Sequence, residues 1–243
     1  MAEAFGWGTL AASSLIVGAL IALRVRIPVV VIGLIMAFGA GVLISAVAFD
    51  LIEEAVDTAG NNWSVLIGLF AGCAVYFIGD RLVARLGGAD RKDAQGAQEG
   101  AGALGIVLGT VLDGVPESIV IGLTIVKGGA VGASYLIAVF ISNLPEAISA
   151  TTGLVAGGWK PLRILRMWIA ITIVSGLASL LGYGLFDSAS GSAVALVLGF
   201  AAGGILTMLA ETMMPEAFDH ARDWVGVATT LGFATAFLIH TVS

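Results

Sequence analysis

Two short stretches carry the residues best suited to chemistry. Asp113-Gly-Val-Pro-Glu117 and Ser142-Asn-Leu-Pro-Glu146 each sit near the centre of a long apolar run. Laid over each other, Val115-Pro116-Glu117-Ser118-Ile119 matches Leu144-Pro145-Glu146-Ala147-Ile148, so a carboxylate follows a helix-breaking proline twice. An ionisable group at that depth costs ~2.5 to 3.5 kcal/mol or more on insertion, and such groups usually mark a site or a pathway. The chemistry these residue types suit is cation binding. Asp113 and Glu117, four residues apart, share one helix face. Pro116 cannot donate to the carbonyl of Leu112, nor Pro145 to that of Ile141, so each proline adds a backbone oxygen near the carboxylates. Asn143 supplies an amide oxygen and Ser142 a hydroxyl. Neither run contains Lys or Arg. Several oxygens in a low-dielectric setting favour a dication, which satisfies two or three carboxylates at once. The competing reading is that these acids are protonated and only hydrogen-bond helices together.

The composition sets the class of protein that must position these groups. Hydrophobic residues make up 58% of the 243 residues and charged residues only 12%, with a mean hydropathy of +1.03. A soluble domain carries about a quarter charged residues, so this is an integral membrane protein. The net charge of −6 arises largely from acids within apolar runs, and nucleic acid is not an expected partner. The single cysteine, Cys73, excludes an intrachain disulfide and a thiolate-rich cluster, and reads as a small buried apolar residue. The N-terminus lacks the basic leader of a cleaved signal peptide, so the first span is expected to be retained.

Apolar runs long enough to cross a bilayer occur eight times: Phe5 to Leu23, Val29 to Val56, Trp63 to Val83, Ala103 to Val126, Val131 to Ala156, Leu165 to Phe186, Ser192 to Phe218 and Trp224 to Thr241. They lack the alternation of barrel strands, so they are predicted to be helices, and their many glycines suit close packing in lipid. With the N-terminus outside, the inner connections hold Arg24, Arg26, Arg81, Arg85, Arg91, Lys92, Lys160, Arg163, Arg166 and Arg222, while the outer ones hold only Lys127. The positive-inside rule therefore puts both termini outside. The whole chain reads as one multi-pass domain in the cell membrane, the inner membrane in a bacterium. Residues 84–102 are predicted to be a flexible cytoplasmic linker, polar and glycine-rich from Gly87 onward.

A second repeat accompanies the first. Gly41 to Asp57 in the second run aligns without gaps on Gly203 to Asp219 in the seventh, the endings being Glu54-Ala55-Val56-Asp57 and Glu216-Ala217-Phe218-Asp219. In the topology above each repeat relates antiparallel elements, the pattern of secondary transporters with a midplane site on interrupted helices. Chance likeness among small-residue helices is the alternative. Further acids mark a possible pathway. Asp50, Glu53, Glu54 and Asp57 lie toward the outer end of the second run, where an acidic mouth would concentrate cations; a solvated helix end is the competing reading, and the stronger one for Asp57. Glu211, deeper in the seventh run than Glu216, Asp219 and His220, is the strongest of that group because depth is what makes an acid expensive. His220 reads as interfacial, and His240 as a packing or interface residue. Trp7, Trp63, Trp159 and Trp224 fall at run ends as an aromatic belt.

The fourth and fifth runs resemble those of the ZIP family (Zrt-, Irt-like proteins) of divalent metal transporters, whose fourth helix reads His-Asn-x-Pro-Glu-Gly and fifth His-(Glu/Asp/Asn)-x-Pro-(Glu/His). The resemblance covers nearly the whole chain, including the long inner connection after the third run. It places the family's first His on Asp113, its Asn on Gly114, its Glu on Glu117, its second His on Ser142, the variable position on Asn143 and the last ligand on Glu146. Pro116 and Pro145 match as they stand. The resemblance implies a uniport-like carrier, not an enzyme, whose cargo is a divalent metal ion (Zn, or Mn, Fe or Cd) with no organic cofactor. It further implies a homodimer in which helices one, four, five and six move against two, three, seven and eight. A non-transporting metal sensor or scaffold of the same fold is the second reading. An intramembrane hydrolase is the third, since paired acids can activate water, though no second Asp motif, His-Glu pair or Ser-Lys arrangement supports it.

Both family histidines are absent here, and the sixth run has no acid or histidine. Loss of imidazole favours harder cations such as Mn, Fe(II) or Mg, although oxygen sites also bind zinc. Restoring both nitrogens as Asp113→His with Ser142→His is therefore expected to raise zinc transport relative to manganese, the pair acting together more than the sum of single changes. Competition uptake with both metals measures this, and a flat zinc-to-manganese ratio in a folded, transporting variant places the ligands elsewhere.

Overall fold

The computed structural model describes residues 1–59, 63–88, 103–126, 133–186 and 189–242. Among these residues the chain is helical throughout and has no strand, as expected where no water is present to take up backbone N–H and C=O groups. We label the helices α1 (Ala2–Arg24), α2 (Val29–Ser45, continuing through Ala46–Ile52 into Glu53–Ala59), α3 (Trp63–Val83, continuing into Ala84–Gly88), α4 (Ala103–Val126), α5 (Ala133–Ala156), α6 (Pro161–Phe186), α7 (Gly191–Met208, continuing through Leu209–Met213 into Met214–Ala221) and α8 (Val225–Val242).

Six described stretches are long and apolar enough to cross a membrane: Ala2–Arg24, Val29–Ala59, Trp63–Gly88, Gly105–Ile125, Pro161–Phe186 and Gly191–Val242. The last is folded into α7 and α8 by a single 3₁₀ turn at Arg222–Trp224, where Arg222 takes the unusual backbone angles φ 40°, ψ −103°. Pro161 opens α6 at its first position, where a missing N–H costs nothing.

Three expectations need correction. Residues 84–88 are not linker: α3 runs into them and turns at Gly87, which takes φ 89°, leaving Gly88 against the backbone of Gly105 at the start of α4. The rest of the expected linker, 89–102, lies outside the described residues. Pro116 and Pro145 do not break their helices, because α4 and α5 run straight through them. The freed carbonyl of a transmembrane proline can be re-satisfied by neighbours, so the helix survives it. Cys73 is exposed rather than buried, since α3 is the least covered of the long helices and turns Ile67, Phe70 and Ile78 outward with it.

The interruptions fall instead in the second repeat. α2 loosens to π-helical form over Ala46–Ile52 and α7 over Leu209–Met213, and these segments occupy the same register when Gly41 to Asp57 is laid on Gly203 to Asp219. Pro215 accounts for the second: lacking an N–H for the carbonyl of Glu211, it leaves a gap that a wider turn absorbs. In α2 the sequence has no proline there and only the repeat points to the bulge.

Helix packing sorts the chain into two groups. α1 packs on α5 and α6, and α4 on α6; α2 packs on α7 and α8, and α3 on α7. Between the groups α2 meets α5, and α4 meets α3 and α7. One apolar core gathers Leu43, Leu51, Leu198, Ile205 and Met213. Another surrounds Trp168 with Leu15, Leu154 and Ile164. Within a group the seams are made by glycine. A Cβ on Gly203 would lie 1.9 Å from the Leu69 carbonyl oxygen, and one on Gly72 1.9 Å from that of Phe200, so α3 and α7 touch backbone to backbone. Gly203→Ala is therefore expected to destabilise the protein by about 1 to 3 kcal/mol. Gly204→Ala, whose Cβ would meet its nearest neighbour at 3.9 Å, is expected to leave the thermal unfolding midpoint in detergent unchanged. Equal midpoints for the two variants would contradict the seam.

Candidate functional site

The paired stretches lie mid-helix on α4 and α5, and their polar side chains are withdrawn from the surface. Asp113 is 4% exposed, Glu117 2% and Glu146 5%. Ser142 and Asn143 are buried with them. α4 and α5 share few close backbone approaches; each is positioned chiefly by other helices. α5 is held by α1, where Gly18 packs on the Leu144 carbonyl, and by α2, where Gly39 packs on Pro145 and the Ser142 backbone. α4 is held by α6 through Gly122 and Gly182, whose missing Cβ atoms admit the partner backbone.

The acids have distinct surroundings. Tyr76 of α3 donates its hydroxyl proton to Asp113 Oδ1 at 2.5 Å. Tyr135 of α5, 1% exposed, lies in the electrostatic fields of both Glu117 and Asp50. Ser142 donates to the Val139 carbonyl at 3.0 Å, so its hydroxyl is engaged locally. Ser118, just after Glu117, donates to the Gly114 carbonyl at 2.8 Å, so its hydroxyl too is engaged within α4. Among the described residues no group of three His, Cys, Asp or Glu side chains is placed to hold one metal ion. Asp113, Glu117 and Glu146 are thus buried in neighbouring helices without forming a three-carboxylate cage. Neutral oxygens from Asn143, Ser142 or backbone carbonyls would have to complete a coordination shell.

The expected pathway acids separate into three kinds. Asp50, on the π segment of α2, is no open mouth: Ser134 Oγ of α5 donates to its Oδ1 at 2.6 Å, and His240 Nδ1 of α8 lies 2.9 Å from the same oxygen. His240 is therefore a partner of Asp50, its ring packed on Phe49 at 5.6 Å between centroids. Glu53 and Asp57 are exposed, while Glu54 accepts from Thr58 Oγ1 at 3.1 Å. Glu211, the deepest of its group in sequence, is exposed on α7 and not drawn into the interior, because the helix buries Leu209 and Met213 instead. Asp219 is exposed too. Glu216 Oε1 lies 2.9 Å from His220 Nε2. The His220 side chain is only 4% exposed, so it is not interfacial: Gly33 of α2 sits against its Cβ.

Sequence reasoning passed over Tyr76, Tyr135, Ser134 and Asp80. Tyr76 carried a usable signal, since a tyrosine placed mid-run rather than in the terminal belt must bring its hydroxyl to a buried partner, whereas Tyr135, the third residue of α5, falls where a belt residue would. Asp80 falls one turn beyond Tyr76 on the same face of α3, half-buried. It is an acid within an apolar run and belongs with the acids noted above.

No protein-family model matches the chain, and no curated protein matches it.

Proposed function

We propose that the chain is a carrier for divalent metal cations, a divergent relative of the ZIP transporters. In this reading eight helices span the membrane with both termini outside. The observation that carries it is the burial of Asp113, Glu117 and Glu146, each 5% exposed or less, on two helices that contain no Lys or Arg. Carboxylates sealed in such a setting are expensive unless a cation visits them. A visiting dication offsets their negative charge, and a shell of carboxylates and neutral oxygens suits a hard or borderline ion. The grouping of α1, α4, α5 and α6 apart from α2, α3, α7 and α8 supports alternating access, with α4 and α5 carrying the site past the second group.

The alternative is a non-transporting metal sensor or scaffold of the same fold. Uptake into proteoliposomes across a panel of Zn, Mn, Fe(II), Cd and Mg separates the two. The carrier reading expects saturable uptake of at least one of these, reduced about tenfold or more by either Glu117→Gln or Glu146→Gln. Binding without uptake selects the sensor, and uptake indifferent to both variants removes the site. Elemental analysis of the loaded protein is expected to give one tightly bound dication per chain, because Gly114 offers no side-chain ligand and α6 no acid or histidine for a second. Two fully occupied metals bridged by Glu117 and Glu146 would contradict this.

A further inference from the structure

Side-chain hydrogen bonds within the first helix group and those that join the two groups differ in their acceptors. Within the first group, Ser179 donates to the Ala4 carbonyl, Thr172 to the Ala12 carbonyl and the Trp168 indole to the Thr151 hydroxyl. Between the groups, Tyr76 donates to Asp113 and Ser134 to Asp50. A carbonyl inside a helix keeps its lone pairs whatever ions come and go. A carboxylate oxygen does not when an arriving cation takes the lone pair that its hydrogen-bond donor uses.

From this we infer that Tyr76 is a positioning residue for the cargo site: its hydroxyl holds Asp113 and α4 against α3 until a dication takes the Asp113 carboxylate and displaces it. The inference rests on the reading of Asp113 as a cation ligand. Tyr76 is 3% exposed, so its hydroxyl has no bulk water to turn to while Asp113 holds it. It belongs to the second helix group and Asp113 to the first. A ligand shifts a conformational equilibrium only through contacts that differ between the two states. The Tyr76 bond to Asp113 Oδ1 is such a contact, since a dication seated on that oxygen excludes it. Next to it, Leu112 of α4 lies against Gly79 of α3, a Cβ there being 3.0 Å from Leu112 Cδ1. The separation of these two positions therefore reports the latch.

The test uses the full chain in detergent and Mn(II) as probe, with free Mn(II) read by electron paramagnetic resonance. Tyr76→Phe removes the competing donor and is expected to tighten Mn(II) binding about tenfold, equivalent to about 1.4 kcal/mol. Asp113→Asn is expected to weaken binding, and adding Tyr76→Phe to it to change nothing further, since Tyr76 acts through Asp113. A purely structural hydrogen bond gives the opposite sign, its loss leaving affinity unchanged or lower. If Tyr76→Phe does not tighten binding while Asp113→Asn weakens it, the latch is wrong and the cation site stands. If Asp113→Asn leaves binding intact, the site assignment fails and the latch with it. A second measurement serves if Tyr76→Phe does not fold. In a Cys73→Ser background, Gly79→Cys with Leu112→Cys is crosslinked by a bifunctional methanethiosulfonate, and saturating Mn(II) is expected to slow the reaction several-fold. An unchanged rate under saturating Mn(II) overturns the inference.

Discussion

A carboxylate removed from water must find compensation, and in this chain that requirement governs where helices meet. Asp113 is met by a tyrosine from α3, and Asp50 by a serine from α5 and a histidine from α8. Glu216 has His220 one turn away. Asp113 and Asp50 thus draw partners from outside their own helix, so the polar groups specify which helices must be neighbours. Lipid-like packing forces alone would leave that choice open, since one apolar helix face resembles another.

The two kinds of contact have different mechanical consequences. Glycine seams such as Gly203 on Leu69 and Gly41 on Thr229 bring backbones into direct contact, and nothing between them can rearrange without parting the helices. The α2–α5 and α3–α4 contacts instead include hydroxyl-to-carboxylate bonds, which protonation or a cation can exchange. The molecule is thus stiff along its glycine seams and chemically addressable where a side-chain donor meets a carboxylate.

The prolines and the π segments illustrate how the same local rule plays out in different places. Pro116 and Pro145 free a carbonyl each, yet their helices continue, with Ser118 donating to the neighbouring Gly114 carbonyl. Pro215 frees the carbonyl of Glu211, and α7 absorbs it by widening to a π turn. The matching bulge in α2 has no proline and carries Asp50, whose carboxylate the wider turn presents to α5 and α8. A shared bulge at equivalent registers in α2 and α7 links the aligned stretches by backbone geometry as well as by residue type.

Helical class, membrane character and the helix limits were legible in the sequence to within a few residues, because hydropathy and run length act locally and lipid leaves the backbone no alternative to hydrogen-bonding within its own helix. The paired motifs were legible for the same reason: an acid or a proline in an apolar run is conspicuous wherever the helix ends up. The sequence did not determine direction around each helix axis. Glu211 looked deepest but faces outward, Cys73 looked buried but is exposed, and His220 looked interfacial but packs on Gly33. In a soluble helix the polar face betrays its orientation. In a chain that is apolar on all sides that signal is missing. Only the tertiary structure, through which glycine meets which backbone and which hydroxyl reaches which carboxylate, decided that Asp113 would lie beneath Tyr76 and Asp50 between Ser134 and His240.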